Sequence, residues 1–162
     1  MAAEKTASSD EHRSFPMKIN WPNTIFLAYW HIAAVYSLTL PKLWSTHIIN
    51  VIFYMLTGLG GSVGAHRYYT HKAFKANFPL RVILIILQTL SGQESAINWS
   101  RLHRIHHKFV DTDADPHNSK RGFFFSHIGW IMIDRHPDVI AAGKKIDMSD
   151  LTNDSLLSFQ HK

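Results

Sequence analysis

TIFLAYWHIAAVYSLTL, residues Thr24 to Leu40, and HIINVIFYMLTGLGGSVGA, residues His47 to Ala65, are the stretches on which the fold turns. No Asp, Glu, Lys or Arg occurs from Ile19 to Pro41, and none from Leu43 to His66, so two uncharged stretches flank Lys42. Each exceeds the roughly 20 residues that a helix rising 1.5 Å per residue needs to cross a bilayer. Trp21, Trp30 and Trp44 stand towards their ends or flanks, as suits membrane interfaces. The same pattern would serve a pair of buried helices in a soluble bundle. In either case Pro41 and Lys42 turn the chain back into a helical hairpin.

Working outward, Lys5, Arg13 and Lys18 precede the first span and Arg67, Lys72, Lys75 and Arg81 follow the second, whereas Lys42 alone lies between. This asymmetry predicts both termini in the cytosol and the loop in the lumen. The expected division is a cytosolic tail over residues 1–20, a transmembrane hairpin over 21–66 and a cytosolic helical cap over 67–162. The opening MAAEKTASSDEHRS has no apolar core or cleavage site of the secretory kind, so targeting falls to the first span.

The 162 residues include no cysteine, which excludes disulfides, thiolate zinc sites, iron–sulfur clusters and haem–thiolate centres. The formal charge is +5 and the pI about 9.6. The basic residues form no isolated tract or binding module but interleave with histidines and aromatics from Arg67 to Lys108. That points away from nucleic acid and towards anionic lipid headgroups or a phosphorylated ligand. Leu80 to Leu90 and Gly122 to Ile133 are apolar but too short to cross, so each is expected in the interface or packed on its neighbours. Gly58, Gly60, Gly61 and Gly64 lack the Lys-Ser/Thr that completes a phosphate loop, and Gly60 and Gly64 are expected to allow close helix packing.

Of the 12 histidines, His66 and His71 (HRYYTH) and His103, His106 and His107 (HRIHH) form two tight groups. On a helix, residues three and four apart are separated by about 60° and about 40°, so His103, His106 and His107 share a face and can aim at one or two metal ions. His66 and His71 lie about 140° apart on an ideal α-helix, which suggests a helix end with each imidazole serving a different ion. Imidazole alone fits zinc, copper, iron or nickel. His31 is expected to face a neighbouring helix, His47 to start one, and His12, His136 and His161 to lie on the surface.

Three segments, GAHRYYTHKAFKANFPLR (Gly64 to Arg81), HRIHHKFVDTDADPHN (His103 to Asn118) and RGFFFSHIGW (Arg121 to Trp130), resemble the membrane-bound fatty acid desaturases, and most closely the acyl-CoA desaturases of the stearoyl-CoA type, insect members included. The resemblance runs from about Trp21 onward. It implies an all-α integral membrane protein of the endoplasmic reticulum, here half of a four-helix desaturase fold. The implied reaction inserts a cis double bond into a fatty acyl-CoA with O2 at a centre of two iron ions, using electrons from cytochrome b5 and its NADH-dependent reductase. It implies His66, His71, His103, His106 and His107 as iron ligands. Gln93, Trp99 and Trp130 match positions near the acyl chain, and Arg101 matches one near the CoA. Asp115, Pro116, His117 and Asn118 match a supporting turn.

Three positions depart from the family pattern near the expected headgroup path: Leu102 where an acidic residue is usual, Glu94 for Asn, and Asp134 before Arg135 where two basic residues are usual. After FQHK the family pattern continues into a second transmembrane pair and a third HxxHH group, so residues 1–162 alone are expected not to desaturate. Rival readings are a membrane hydroxylase or sterol oxidase with the same histidine logic, and a non-catalytic half that binds metal or pairs with a full-length desaturase.

Overall fold

Asn20 sets the first helix: its side chain accepts the Asn23 amide at 3.1 Å, and Pro22 in the first turn has no amide to satisfy. The computed structural model describes residues 16–162. Lys5, His12, Arg13 and most of the expected tail lie outside the described residues. Helix α1 runs over Trp21–Ser37 and α2 over Trp44–Leu59, and α2 continues unbroken into a π-wound segment, Gly60–Thr70. Trp44–Thr70 is thus one helix of 27 residues, with mean hydropathy 1.6 over its most apolar window. Among the described residues it is the one helix long and apolar enough to cross a membrane, and only 17% of that window is buried. Among the described residues it is not a buried core helix.

Among the described residues no other helix packs closely along α1, and no residue of α1 or of Trp44–Leu59 is buried. Side-by-side packing of the expected hairpin is not shown among the described residues. Apolar helices facing lipid have no hydrophobic drive pressing them together. His31, expected against a neighbour, turns back on its own helix, its Nδ1 2.8 Å from the Leu27 carbonyl oxygen. The base of α1 is fixed instead. The Asn20 amide and the Thr24 hydroxyl both donate to the Met132 carbonyl, at 2.9 and 3.1 Å, and the Asn23 side chain donates to the Ile131 carbonyl at 3.1 Å.

Helix α3, Phe78–Leu90, starts with Asn77 accepting the Leu80 amide at 3.1 Å and packs on the π segment, as expected of this short apolar stretch. The contact is backbone to backbone. A Cβ on Gly60 would lie 2.5 Å from the Gln88 nitrogen and 2.6 Å from the Leu87 oxygen, and one on Gly64 3.3 Å from the Leu84 oxygen. The close packing expected of Gly60 and Gly64 is present.

The rest of the described chain is short helices: α4 (Ala96–Phe109), α5 (Phe123–His127), α6 (Pro137–Lys144), α7 (Ser149–Thr152) and α8 (Ser155–His161). Two apolar clusters hold α6, α7 and α8 on α4. One joins Tyr69, Ile85, Ala96 and Ile97 to Met148, Leu151 and Leu157, and the other joins Leu102 and Ile105 to Ala142. All-helical architecture is thereby observed, with α4 at the centre of the cap.

Candidate metal centre

α4 owes its start to Ser95, whose hydroxyl accepts the Asn98 amide at 3.3 Å. It turns Ile97, Leu102 and Ile105 inward. His103 and His107, one turn apart, come to the other side, with their Nε2 atoms 3.0 Å apart. The His71 Nε2 lies 3.2 Å from that of His103, and the ring centroids of His66 and His103 are 4.6 Å apart. Ligand atoms of His66, His71, His103 and His107 all lie within 4.8 Å of one another. Four imidazoles this close together could offer a nitrogen donor set to a transition metal ion.

The separation of His66 and His71 expected from α-helical winding is not what the segment shows. Gly60–Thr70 is π-helical and the His71 amide donates to the His66 carbonyl oxygen at 3.1 Å. With i→i+5 bonds, residue i+5 stands about one turn beyond residue i. The two rings consequently meet, centroids 4.7 Å apart.

His106 goes elsewhere. Its Nδ1 lies 2.9 Å from Asp115 Oδ1, its ring centroid is 4.1 Å from that of His117, and these three form a second group. Asp115 is fully occupied: Oδ1 also accepts the His117 amide at 3.1 Å and Oδ2 the Asp111 amide at 3.0 Å. Burial pushes the Asp115 carboxyl up, but these donors outweigh it and hold the group below the usual carboxylate range. A charged acceptor at Nδ1 fixes the ring and leaves Nε2 for another partner. Asn118 is buried and ties the turn, donating to the Thr112 carbonyl at 2.9 Å and accepting the Lys120 amide at 2.9 Å.

The protonation states also suit metal binding. Burial, then the neighbouring His107, His66, His71 and His106, push His103 down to about 3. Burial, with His66 and His107, lowers His71 in the same direction. Neutral imidazole is the form that ligates.

Of the residues expected near substrate, Gln93 and Trp99 are brought together beside the four histidines. Trp99 Nε1 donates to Gln93 Oε1 at 3.1 Å, and the Trp99 ring lies 4.8 Å from His103 and 6.1 Å from His66. Trp130 joins the other group, 5.5 Å from the His117 ring, and packs on the Leu102, Ile105 and Ala142 cluster. Arg101 projects towards α6, where a Cβ on Gly143 would meet its Cδ at 3.9 Å.

No family model matches the chain. It is 46% identical over 155 residues to an acyl-CoA Delta(11) desaturase of Trichoplusia ni, covering 93% of this chain and 44% of that protein. An acyl-CoA Delta-9 desaturase of Acheta domesticus is 48% identical over 149 residues (90% and 41%), and stearoyl-CoA desaturase 5 of Bos taurus 45% over 152 residues (93% and 45%). Over the residues it spans, the chain is similar to these acyl-CoA desaturases. It spans less than half the length of these relatives.

Against that pattern, the three departing residues of this chain have found partners. Leu102 is buried in the α4–α6 cluster. Glu94 lies 3.5 Å from the Arg135 guanidinium, and Asp134 accepts the Asn20 side-chain amide at 3.4 Å. Sequence reasoning missed a set of polar residues that brace the histidines. The Thr70 hydroxyl bonds to Ser100 Oγ at 2.9 Å in a fully buried contact, and Arg104 grips Asp150 through both nitrogens, at 2.9 and 2.8 Å. The signal for the first was two hydroxyl residues each close to a histidine group; for the second, Arg104 inside HRIHH was visible but its partner, 46 positions on, was not.

Proposed function

We propose that this chain contributes the first two histidine groups of a di-iron acyl-CoA desaturase that inserts a cis double bond into a saturated fatty acyl-CoA. The observation that carries the reading is the division of the histidines into a convergent four and a separately braced His106. In this reading His66, His71, His103 and His107 hold one iron and His106 contributes to the second. Bound iron would supply the O2-driven oxidising power needed to remove hydrogen from two adjacent methylene carbons.

The chain's own residues do the rest. His103 and His71 stay neutral and keep their lone pairs for ligation. Asp115 accepts the His106 Nδ1 proton and so selects Nε2 as the ligand atom. The Trp99–Gln93 pair makes a wall next to His66 and His103 against which an acyl chain is held in reacting geometry. Arg101 offers a guanidinium to the CoA phosphates. Cytochrome b5 and its NADH-dependent reductase supply electrons.

In the same reading the protein lies in the endoplasmic reticulum membrane, with residues 21–66 spanning it, residues 67–162 forming the cytosolic cap and both termini cytosolic. Engineered glycosylation acceptors test the topology: one beside Lys42 becomes modified and one near residue 150 does not. Modification at the second overturns it.

The activity is tested by grafting residues 1–162 in place of the matching segment of the Acheta domesticus protein and expressing the chimera in a desaturase-deficient host. Unsaturated acyl chains are expected, and their loss in a His66→Ala chimera. An alcohol product would favour a hydroxylase, and an active His66→Ala chimera would refute the ligand assignment.

A further inference from the structure

α7 lies far along the chain from both histidine groups, yet one of its side chains touches a residue next to a histidine of each. Asp150 Oδ2 is 3.0 Å from Lys72 Nζ, the residue after His71. Both Asp150 oxygens receive the Arg104 guanidinium, on the residue after His103. Arg104 then spends its remaining donor capacity on backbone. It reaches the Asp147 carbonyl at 2.9 Å and the Tyr69 and Thr70 carbonyls at 3.5 Å. A single carboxylate thus links the end of the π segment to α4 at the level where His71 meets His103.

We infer that Asp150 is a positioning residue for the four-histidine site, acting through Lys72 and Arg104 to fix the distance between the two histidine-bearing segments. The inference rests on the proposed metal site. His71 is exposed, and the residues around it need a brace because its segment leaves the helix at once: Lys72 has φ +52°, outside helical geometry. The buried Thr70–Ser100 bond secures one side of that exit, and the Asp150 clamp secures the other. α7 can hold its place because Leu151 is fully buried beside Tyr69 and Ile97 in the larger apolar cluster. Bidentate guanidinium–carboxylate pairing fixes orientation as well as distance, and the Arg104 hydrogen bonds hold Asp150 down to about 2, charged at any working pH.

The test is Co2+ titration of the full 162-residue chain in detergent, read by the visible absorption band, whose intensity separates four-coordinate from six-coordinate ions. Wild type is expected to bind one ion. Asp150→Asn is expected to keep its helical circular dichroism but bind about tenfold more weakly with a fainter band, within the range for residues that orient ligands, and Asp150→Glu to recover part of the loss. Lys72→Met removes one arm of the clamp at a half-exposed position and is expected to weaken binding about threefold, a lesser loss of the same kind. Asp154→Asn, which breaks the Arg81–Asp154 pair away from the histidines, is the stability control and should leave Co2+ affinity unchanged. Absence of Co2+ binding in wild type would sink the metal-site reading itself. Wild-type affinity and band shape in Asp150→Asn, or in Lys72→Met should Asp150→Asn not fold, would overturn the positioning role alone.

Discussion

Gly60→Ala places a methyl group where α3 leaves no space for it. The added Cβ would sit 2.5 Å from the Gln88 nitrogen and 2.6 Å from the Leu87 oxygen, and closer still to the Leu87 carbonyl carbon. All three are backbone atoms and cannot rotate aside. Ordinary contact begins at 3.4 Å, so the two helices must part by about 1 Å along their closest line, a displacement in the range where overpacking costs about 1–3 kcal/mol. Removing a helical glycine returns about 0.5–1 kcal/mol, which leaves the clash dominant. Gly58→Ala is the matched control, because nothing lies within 4 Å of its Cβ position and only the helix-propensity gain applies. Unfolding in mixed micelles at rising denaturing-detergent fraction, followed by circular dichroism, should give the order Gly58→Ala, wild type, Gly60→Ala from most to least stable. If Gly60→Ala were as stable as wild type, the helices would not be in backbone contact there.

In the same chain, His103→Ala is expected to weaken Co2+ binding by about tenfold or more, while His106→Ala, in the other group, and His47→Ala change it by less than about twofold; equal losses at His103 and His106 would contradict the four-plus-one division. Acid should act on the metal-free chain through the histidines before the carboxylates. His103 falls from 6.5 in the unfolded chain to about 3 in the folded one, so the unfolded state binds the extra proton; the contribution is complete above 6.5 and disappears as the pH drops towards 3. Asp150, lowered from 3.8 to about 2, contributes above 3.8 and is lost only below it. The thermal midpoint should therefore decline between pH 7 and pH 5 in wild type and less so in His103→Gln, and a flat wild-type profile would refute the assignment.

The elements that proved legible are those in which one period settles the geometry. His103 and His107 repeat at one helical turn, and the helix places their Nε2 atoms 3.0 Å apart. The apolar run from Leu80 to Leu90 was expected in the interface or packed on its neighbours, and Leu84, Ile85 and Gln88 of the helix it belongs to are buried. The division of HRIHH was not legible, because three and four residues differ by about 100° of rotation in opposite senses around the helix axis, and only the position of Asp115 decides that His106 leaves the group. Asp150 was invisible for another reason. Nothing in a sequence says which of several carboxylates will fold back against an arginine 46 residues earlier.

The π winding joins the histidine cluster to the helix packing. An α-helical Gly60–Thr70 would hold His66 and His71 about 140° apart and leave a three-histidine group. The observed i→i+5 register, closed by the His71 amide on the His66 carbonyl at 3.1 Å, brings the fourth imidazole in. The same segment contains Gly60 and Gly64, through which α3 approaches, so the backbone contact that fixes α3 bears on the stretch whose register aligns the ligands. Gly60 carries no ligand atom, and its substitution by Ala should nonetheless reduce Co2+ affinity, by a few-fold, as displacement of a supporting element does. Gly58→Ala, on the α-wound stretch with open space beside it, should not. Full affinity in a folded but destabilised Gly60→Ala chain would show that the register is held by the histidine segment itself, through Thr70 and Ser100, without help from α3.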